Sequence, residues 1–203
     1  MGIESKLWRV LKIQFQIFAA FVIVAGSVSF ATGAVLTSQQ TTTTPFALPA
    51  IKTHDTWNEE VSRFSERVTS AFGVRPATAD EFSAWILEAA ERQTFDPDLL
   101  AGKIATESSF RKVARSHVGA IGPAQVRPDY WSRFCGTSDL TDPEQNIYCG
   151  AQVLAYYRER CGGEVCALQA YNIGLYGTRQ RAANRYVNKV DRNREAIASL
   201  AAL

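Results

Sequence analysis

Residues 13–51 contain no Asp, Glu, Lys or Arg, and residues 17–36 within them are apolar or small throughout. A helix of that length crosses roughly 30 Å of hydrocarbon. Lys6, Arg9 and Lys12 precede the run, a one-sided basic flank that a buried soluble helix does not need. The positive-inside rule keeps such a flank in the cytoplasm and sends everything after residue 36 outward. The sequence therefore predicts a cytoplasmic N-terminus over 1–12 and a transmembrane anchor or signal segment over 13–36. Ser29 and Ala31 fit a small-residue cleavage site, but the uncharged run continues past Ala31, which favours a retained anchor.

Residues 37–49 are rich in Thr and Gln, with Pro45 and Pro49. They hold too few apolar side chains to bury, so 37–53 is expected to be an extended linker. Trp57, Val61, Phe64, Val68 and Phe72 then recur at helical spacing. That spacing predicts an amphipathic helix over 56–72, within a segment 54–76 that packs on the domain, closed by Gly73 and Pro76. Thr78 followed by Glu81 is expected to form a capping box, and Asp96-Pro97 and Asp142-Pro143 are expected to open helices. Ile147, Ala151, Leu154 and Tyr157 mark one face of the second of these. No alternating strand pattern follows Pro76, so residues 77–203 are expected to form one mainly α domain.

Charge excludes little and selects nothing: 22 basic and 20 acidic residues leave a net +2, with no footprint for nucleic acid. Cys135, Cys149, Cys161 and Cys166 all lie in the exported part, where an even number points to two disulfides. Three connectivities exist in principle. The short span from Cys161 to Cys166 across Gly162 and Gly163 favours pairing those two, leaving Cys135 with Cys149. His54 and His117 have no metal-ligand spacing, so neither a metal nor a cofactor is expected.

In the helix opened by Asp96, the residues Leu100, Ile104 and Glu107 fall at i, i+4 and i+7, which puts a carboxylate on the apolar face. It also stands at the helix C-terminus. Partial desolvation and the negative end of the helix dipole both favour the protonated form, as general acid catalysis requires. A glutamate in a last turn is otherwise an ordinary surface residue.

The run Ala105-Thr106-Glu107-Ser108-Ser109-Phe110 is followed by Ser116 and then by Gly119-Ala120-Ile121-Gly122-Pro123-Ala124-Gln125-Val126. Asn146 and Gly150, Ala170-Tyr171-Asn172 with Gly174, and Tyr186-Val187 before Lys189 and Val190 come after it in order. This series resembles the lytic transglycosylases of the soluble (SLT) type, with their lysozyme-like helical fold. The resemblance implies that Glu107 is the sole acid/base. It would protonate the glycosidic oxygen between N-acetylmuramic acid and N-acetylglucosamine, then accept the proton of the muramyl C6 hydroxyl as a 1,6-anhydro ring closes.

By the same resemblance Ser116, Gln125, Tyr171, Asn172 and Tyr186 line the substrate cleft. Each residue type also has a structural use, the amides tying loops to backbone and the tyrosines packing in a core. Where the family usually has Leu and Met ahead of the glutamine, this chain has Pro123 and Ala124. The implied partners are peptidoglycan strands, the inner membrane through the N-terminal helix, and a secretion, conjugation or phage entry apparatus. The implied location is the inner membrane with the catalytic domain in the periplasm, or the virion for a phage-encoded copy. A hydrolytic goose-type lysozyme and an inactive wall-binding assembly protein are the alternatives.

Overall fold

The computed structural model describes residues 56–137 and 139–201. The expected N-terminus over 1–12, membrane segment over 13–36, linker over 37–53 and His54 lie outside them. Seven helices are described: α1 Trp57–Phe72, α2 Pro76–Gln93, α3 Pro97–Ser108, α4 Pro128–Cys135, α5 Pro143–Cys161, α6 Glu164–Ile173 and α7 Gln180–Ala198. Among the described residues the β features are isolated bridges, Arg115 with Ile121 and Ile121 with Val126. No described helix is long and apolar enough to cross a membrane.

The helix starts follow from local chemistry. Asp96 caps α3 by accepting from the Asp98 N–H, and Asp142 caps α5 by accepting from the Gln145 N–H. Each is followed by proline at the first helical position, where the missing N–H costs nothing. The capping box expected at Thr78 and Glu81 does not form. Extended Arg75 and Pro76 open α2 earlier, which puts Thr78 inside the first turn, while Glu81 pairs with Lys112 instead. A capping box forms at α1, where the Thr56 side chain accepts from the Glu59 N–H and the Glu59 carboxylate accepts from the Thr56 N–H at 2.8 Å. Gly73, at φ 65°, ends α1 in the left-handed region that glycine enters without steric cost.

α3 is the central helix. Leu99, Leu100, Ala101, Gly102, Lys103, Ile104 and Ala105 are all buried, so little of its circumference meets water. α7 lies along it and α2 packs beside it, while α5 packs on α2 and α6, and α6 packs on α7. α1 adds Phe64 and Val68 to the same core. Gly102 sets the α3–α7 approach: a methyl group there would stand 2.7 Å from the Arg194 nitrogen and 2.9 Å from the Val190 carbonyl oxygen, both backbone atoms.

α4 buries none of its residues completely. It is held by the Cys135–Cys149 disulfide to α5 and by Trp131, which stacks edge-on with Tyr156 and Tyr157. The Cys161–Cys166 disulfide spans the α5–α6 turn.

Candidate active site

α3 stops abruptly, and its end carries Glu107. Ser109 and Phe110 both take positive φ, at 52° and 60°, a conformation that costs a non-glycine residue about 1–2 kcal/mol. Phe110 is held there by burial against Phe72 and Phe82, with ring centroids 5.2 and 5.3 Å away. The carbonyls of the last turns are satisfied locally. Thr106, Ser108 and Ser109 hydroxyls donate to the carbonyls of Gly102, Ile104 and Ala105. Lys189 and Arg111 donate to those of Thr106 and Ser108.

Glu107 is half-buried and accepts a hydrogen bond from the Tyr186 hydroxyl at 2.6 Å. Burial raises its pKa above the usual carboxylate range. Lys103, the Tyr186 hydrogen bond and Lys189 pull the other way without cancelling that effect. The charged groups acting on it are thus both cations, one from its own helix and one from α7. Tyr186 is itself buried, and loss of its proton is strongly opposed by burial and by Glu107.

One turn earlier on α3, the Lys103 side chain is 1% exposed. Its ammonium donates to the Ala124 carbonyl at 3.4 Å and lies 3.6 Å from the centre of the Tyr171 ring. Tyr171 donates to the same Ala124 carbonyl at 2.9 Å. Sequence reasoning passed over Lys103. The available signal was a lysine inside the apolar stretch 99–105, four residues before the glutamate.

The loop that offers Ala124 is clasped by Asn146, which is fully buried on α5. The Asn146 Oδ1 accepts from the Ala124 N–H at 2.8 Å, and its Nδ2 donates to the Ile121 and Leu140 carbonyls at 2.9 and 3.0 Å. Gly122, at φ 73°, leaves the space that the Asn146 amide fills. Gly150 leaves room for Ala124, whose methyl group would be 2.5 Å from a side-chain carbon at position 150. The Ala124 methyl is accordingly 1% exposed and turned inward.

The other expected cleft residues divide. Tyr171 joins Lys103 and the loop. The Ser116 hydroxyl accepts from the Ala120 N–H at 3.0 Å, and the Gln125 amide donates to the Gly122 carbonyl at 2.9 Å, with Gln125 at φ 53°. Both side chains therefore brace the loop. Asn172 is exposed at the end of α6, and His117 is exposed in the loop.

A separate cavity of about 300 Å³ lies between α2 and α5, lined by Glu88, Arg92, Gln145, Tyr148, Gln152 and the Cys135–Cys149 bridge among others. None of the residues gathered around Glu107 borders it.

The family described as Transglycosylase SLT domain matches residues 84–194, a span that contains Lys103, Glu107, the clasped loop, Tyr171 and Tyr186. The chain belongs to this family. Among relatives, a transglycosylase of Enterobacteria phage PRD1 is 37% identical over 106 residues, covering 52% of this chain and 40% of that protein. The membrane-bound lytic murein transglycosylase F of Desulfosudis oleivorans is 33% identical over 125 residues, covering 58% of this chain and 26% of that protein. This SLT-domain chain thus spans less than half the length of either relative. A solved structure of an inactive mutant of lytic transglycosylase Slt from Pseudomonas aeruginosa aligns with a TM-score of 0.43 at 21% identity, over 70% of this chain and 29% of that one.

Proposed function

We propose that the chain is a peptidoglycan lytic transglycosylase in which Glu107 is the single acid and base. The observation that carries this reading is a half-buried carboxyl of raised pKa, held by the Tyr186 hydroxyl and acted on by cations alone, inside a Transglycosylase SLT domain. With Oε1 engaged by Tyr186, the proton of the neutral acid sits on Oε2. It passes to the glycosidic oxygen as the bond to muramyl C1 breaks. The C6 hydroxyl then closes on C1, and its proton returns to the carboxylate. No water enters, so no second carboxylate is needed to activate one, in contrast to the paired carboxylates of most glycosidases.

Tyr171 and Asn172, at the end of α6, offer a ring and an amide to the sugars beside Glu107. Ser116 and Gln125 act through the shape of the loop. The uncharged run over 13–36 tethers the domain to the inner membrane, with the enzyme working on the periplasmic wall. The similarity to one phage transglycosylase and one membrane-bound transglycosylase supports a role in local wall opening for an envelope or virion machine.

Glu107→Gln is expected to abolish cleavage in a folded protein, because an amide cannot donate the proton. Mass spectrometry of digested glycan should give a product one water lighter than the hydrolysed sugar. A hydrolysed product would favour the goose-type reading, and full activity in the folded Gln variant would remove Glu107 from the mechanism. Recovery of the full chain from solubilised membranes, together with an envelope or virion component, is the expected result for the tether. Recovery in the soluble fraction would count against it.

A further inference from the structure

Lys103 is the buried charge that the scheme above leaves unused. An ammonium carries three N–H donors, and here the polar group it reaches is the Ala124 carbonyl at 3.4 Å. Its other neighbours are the Tyr171 ring and the backbone of Gly150, where a methyl group would come within 3.7 Å of Nζ. Burying a cation costs several kcal/mol unless a partner offsets it. A methionine would fill the same space without that cost, so filling space does not account for a lysine here.

We propose that Lys103 is a positioning residue for the acid/base: fixed one turn beneath Glu107 by the Ala124 carbonyl and the Tyr171 ring, its ammonium is the counter-charge for the carboxylate formed when Glu107 gives up its proton. The inference rests on Glu107 being that acid. As the proton reaches the glycosidic oxygen and the C1–O bond breaks, a carboxylate appears between a developing positive sugar and a fixed cation. When the C6 hydroxyl returns its proton, Glu107 is neutral again and Lys103 has kept its own protons throughout. The arrangement gives one carboxylate both states within one cycle. Burial alone would hold it neutral and make the first transfer unfavourable.

The groups that face this pair come from each surrounding element. Tyr186 and Lys189 approach Glu107 from α7, Tyr171 approaches both from α6, and α5 presents Gly150, which does not titrate. Lys189 is exposed and therefore screened by water. Burial brings Lys103 down to about 8, with Glu107 opposing the shift, so it remains mostly charged near neutral pH.

The test is a titration of the full chain with carbon-13-labelled glutamate and lysine side chains, the Glu107 signal assigned by its loss in Glu107→Gln. In Lys103→Met the Glu107 midpoint should rise by about one unit or more, a tenfold change in its acidity. In Lys189→Met it should move far less. The pH profile of kcat should follow, its alkaline limb moving to higher pH in Lys103→Met while kcat falls at lower pH. Uniform loss of activity with an unmoved Glu107 midpoint would make Lys103 a loop tether and overturn the proposal. Should Lys103→Met fail to fold, linkage supplies the reciprocal measurement: the Lys103 midpoint must fall in Glu107→Gln, and an unchanged midpoint overturns the proposal equally. The titrations need no substrate, so a coupling found alongside full cleavage by Glu107→Gln would refute the acid/base assignment alone.

Discussion

Burial and three neighbours decide how Glu107 behaves in water. Burial raises its pKa, and Lys103, the Tyr186 hydroxyl and Lys189 lower it by less. Tyr186→Phe keeps the ring packed and removes one hydrogen bond to a charged group, an interaction of about 1.5–3 kcal/mol. Turnover should fall roughly 10–100-fold with little change in melting temperature; an equal loss of both would reduce Tyr186 to a packing residue. The raised pKa also has a stability signature. Below the unfolded pKa of about 4.3 the carboxyl is neutral in both states. Above it the unfolded chain ionises first and binds fewer protons, so stability falls as pH rises towards the folded pKa. Glu107→Gln should therefore be more stable than the parent in thermal unfolding at pH 7 and equal to it near pH 4. Glu107 was legible in the sequence because Leu100 and Ile104 mark its face and because the ordered motifs from Ser108 to Tyr186 follow it. Lys103 was not, since a lysine in a helix is ordinarily at the surface and only its partners, brought from the loop and from α6, make it unusual.

Helix contacts explain why the site keeps its geometry. Tyr186 meets Glu107 because α7 rides on Gly102, and the atoms a side chain there would strike are backbone. Gly102→Ala gains up to about 1 kcal/mol of helix propensity and incurs overpacking of about 1–3 kcal/mol. Thermal unfolding should show a net loss, and turnover should drop as Tyr186 is carried off the carboxylate; unchanged turnover would mean that α7 can shift without consequence. Helices α1, α3 and α5 were readable from periodicity and from Asp-Pro starts, whereas α4, α6 and α7 were not singled out. The start of α2 was misread because a capping-box pattern at Thr78 and Glu81 competes with Pro76, and proline fixes the first turn before threonine is reached. The backbone contacts of Ser116 and Gln125 were hidden for a related reason. The sequence shows a hydroxyl and an amide in a loop, and only the folded loop shows that each bonds to a backbone group within it.

At the scale of the whole domain, the core is continuous while α4 stands at its edge. The Cys135–Cys149 bridge closes a separation of 14 residues, for which chain entropy gives about 3 kcal/mol. Replacing both cysteines by serine should lower stability by roughly that amount, and the α4 amides should exchange first because that helix buries nothing completely. Loss spread evenly over all helices would instead mean that α4 is integral to the core.

The inward methyl of Ala124 has a consequence for how such a sequence can drift. Positions 124 and 150 share one small volume, so a larger residue at either forces the other, or the loop, to give way. In a library randomised at both positions and selected for folding, survivors should pair a small residue with a small residue. A bulky side chain at 124 should survive only where it has turned away from α5, and there it would release the Ala124 carbonyl from Lys103 and Tyr171. The two positions would then evolve as one unit, and the unit would be tuned by the charge beneath Glu107.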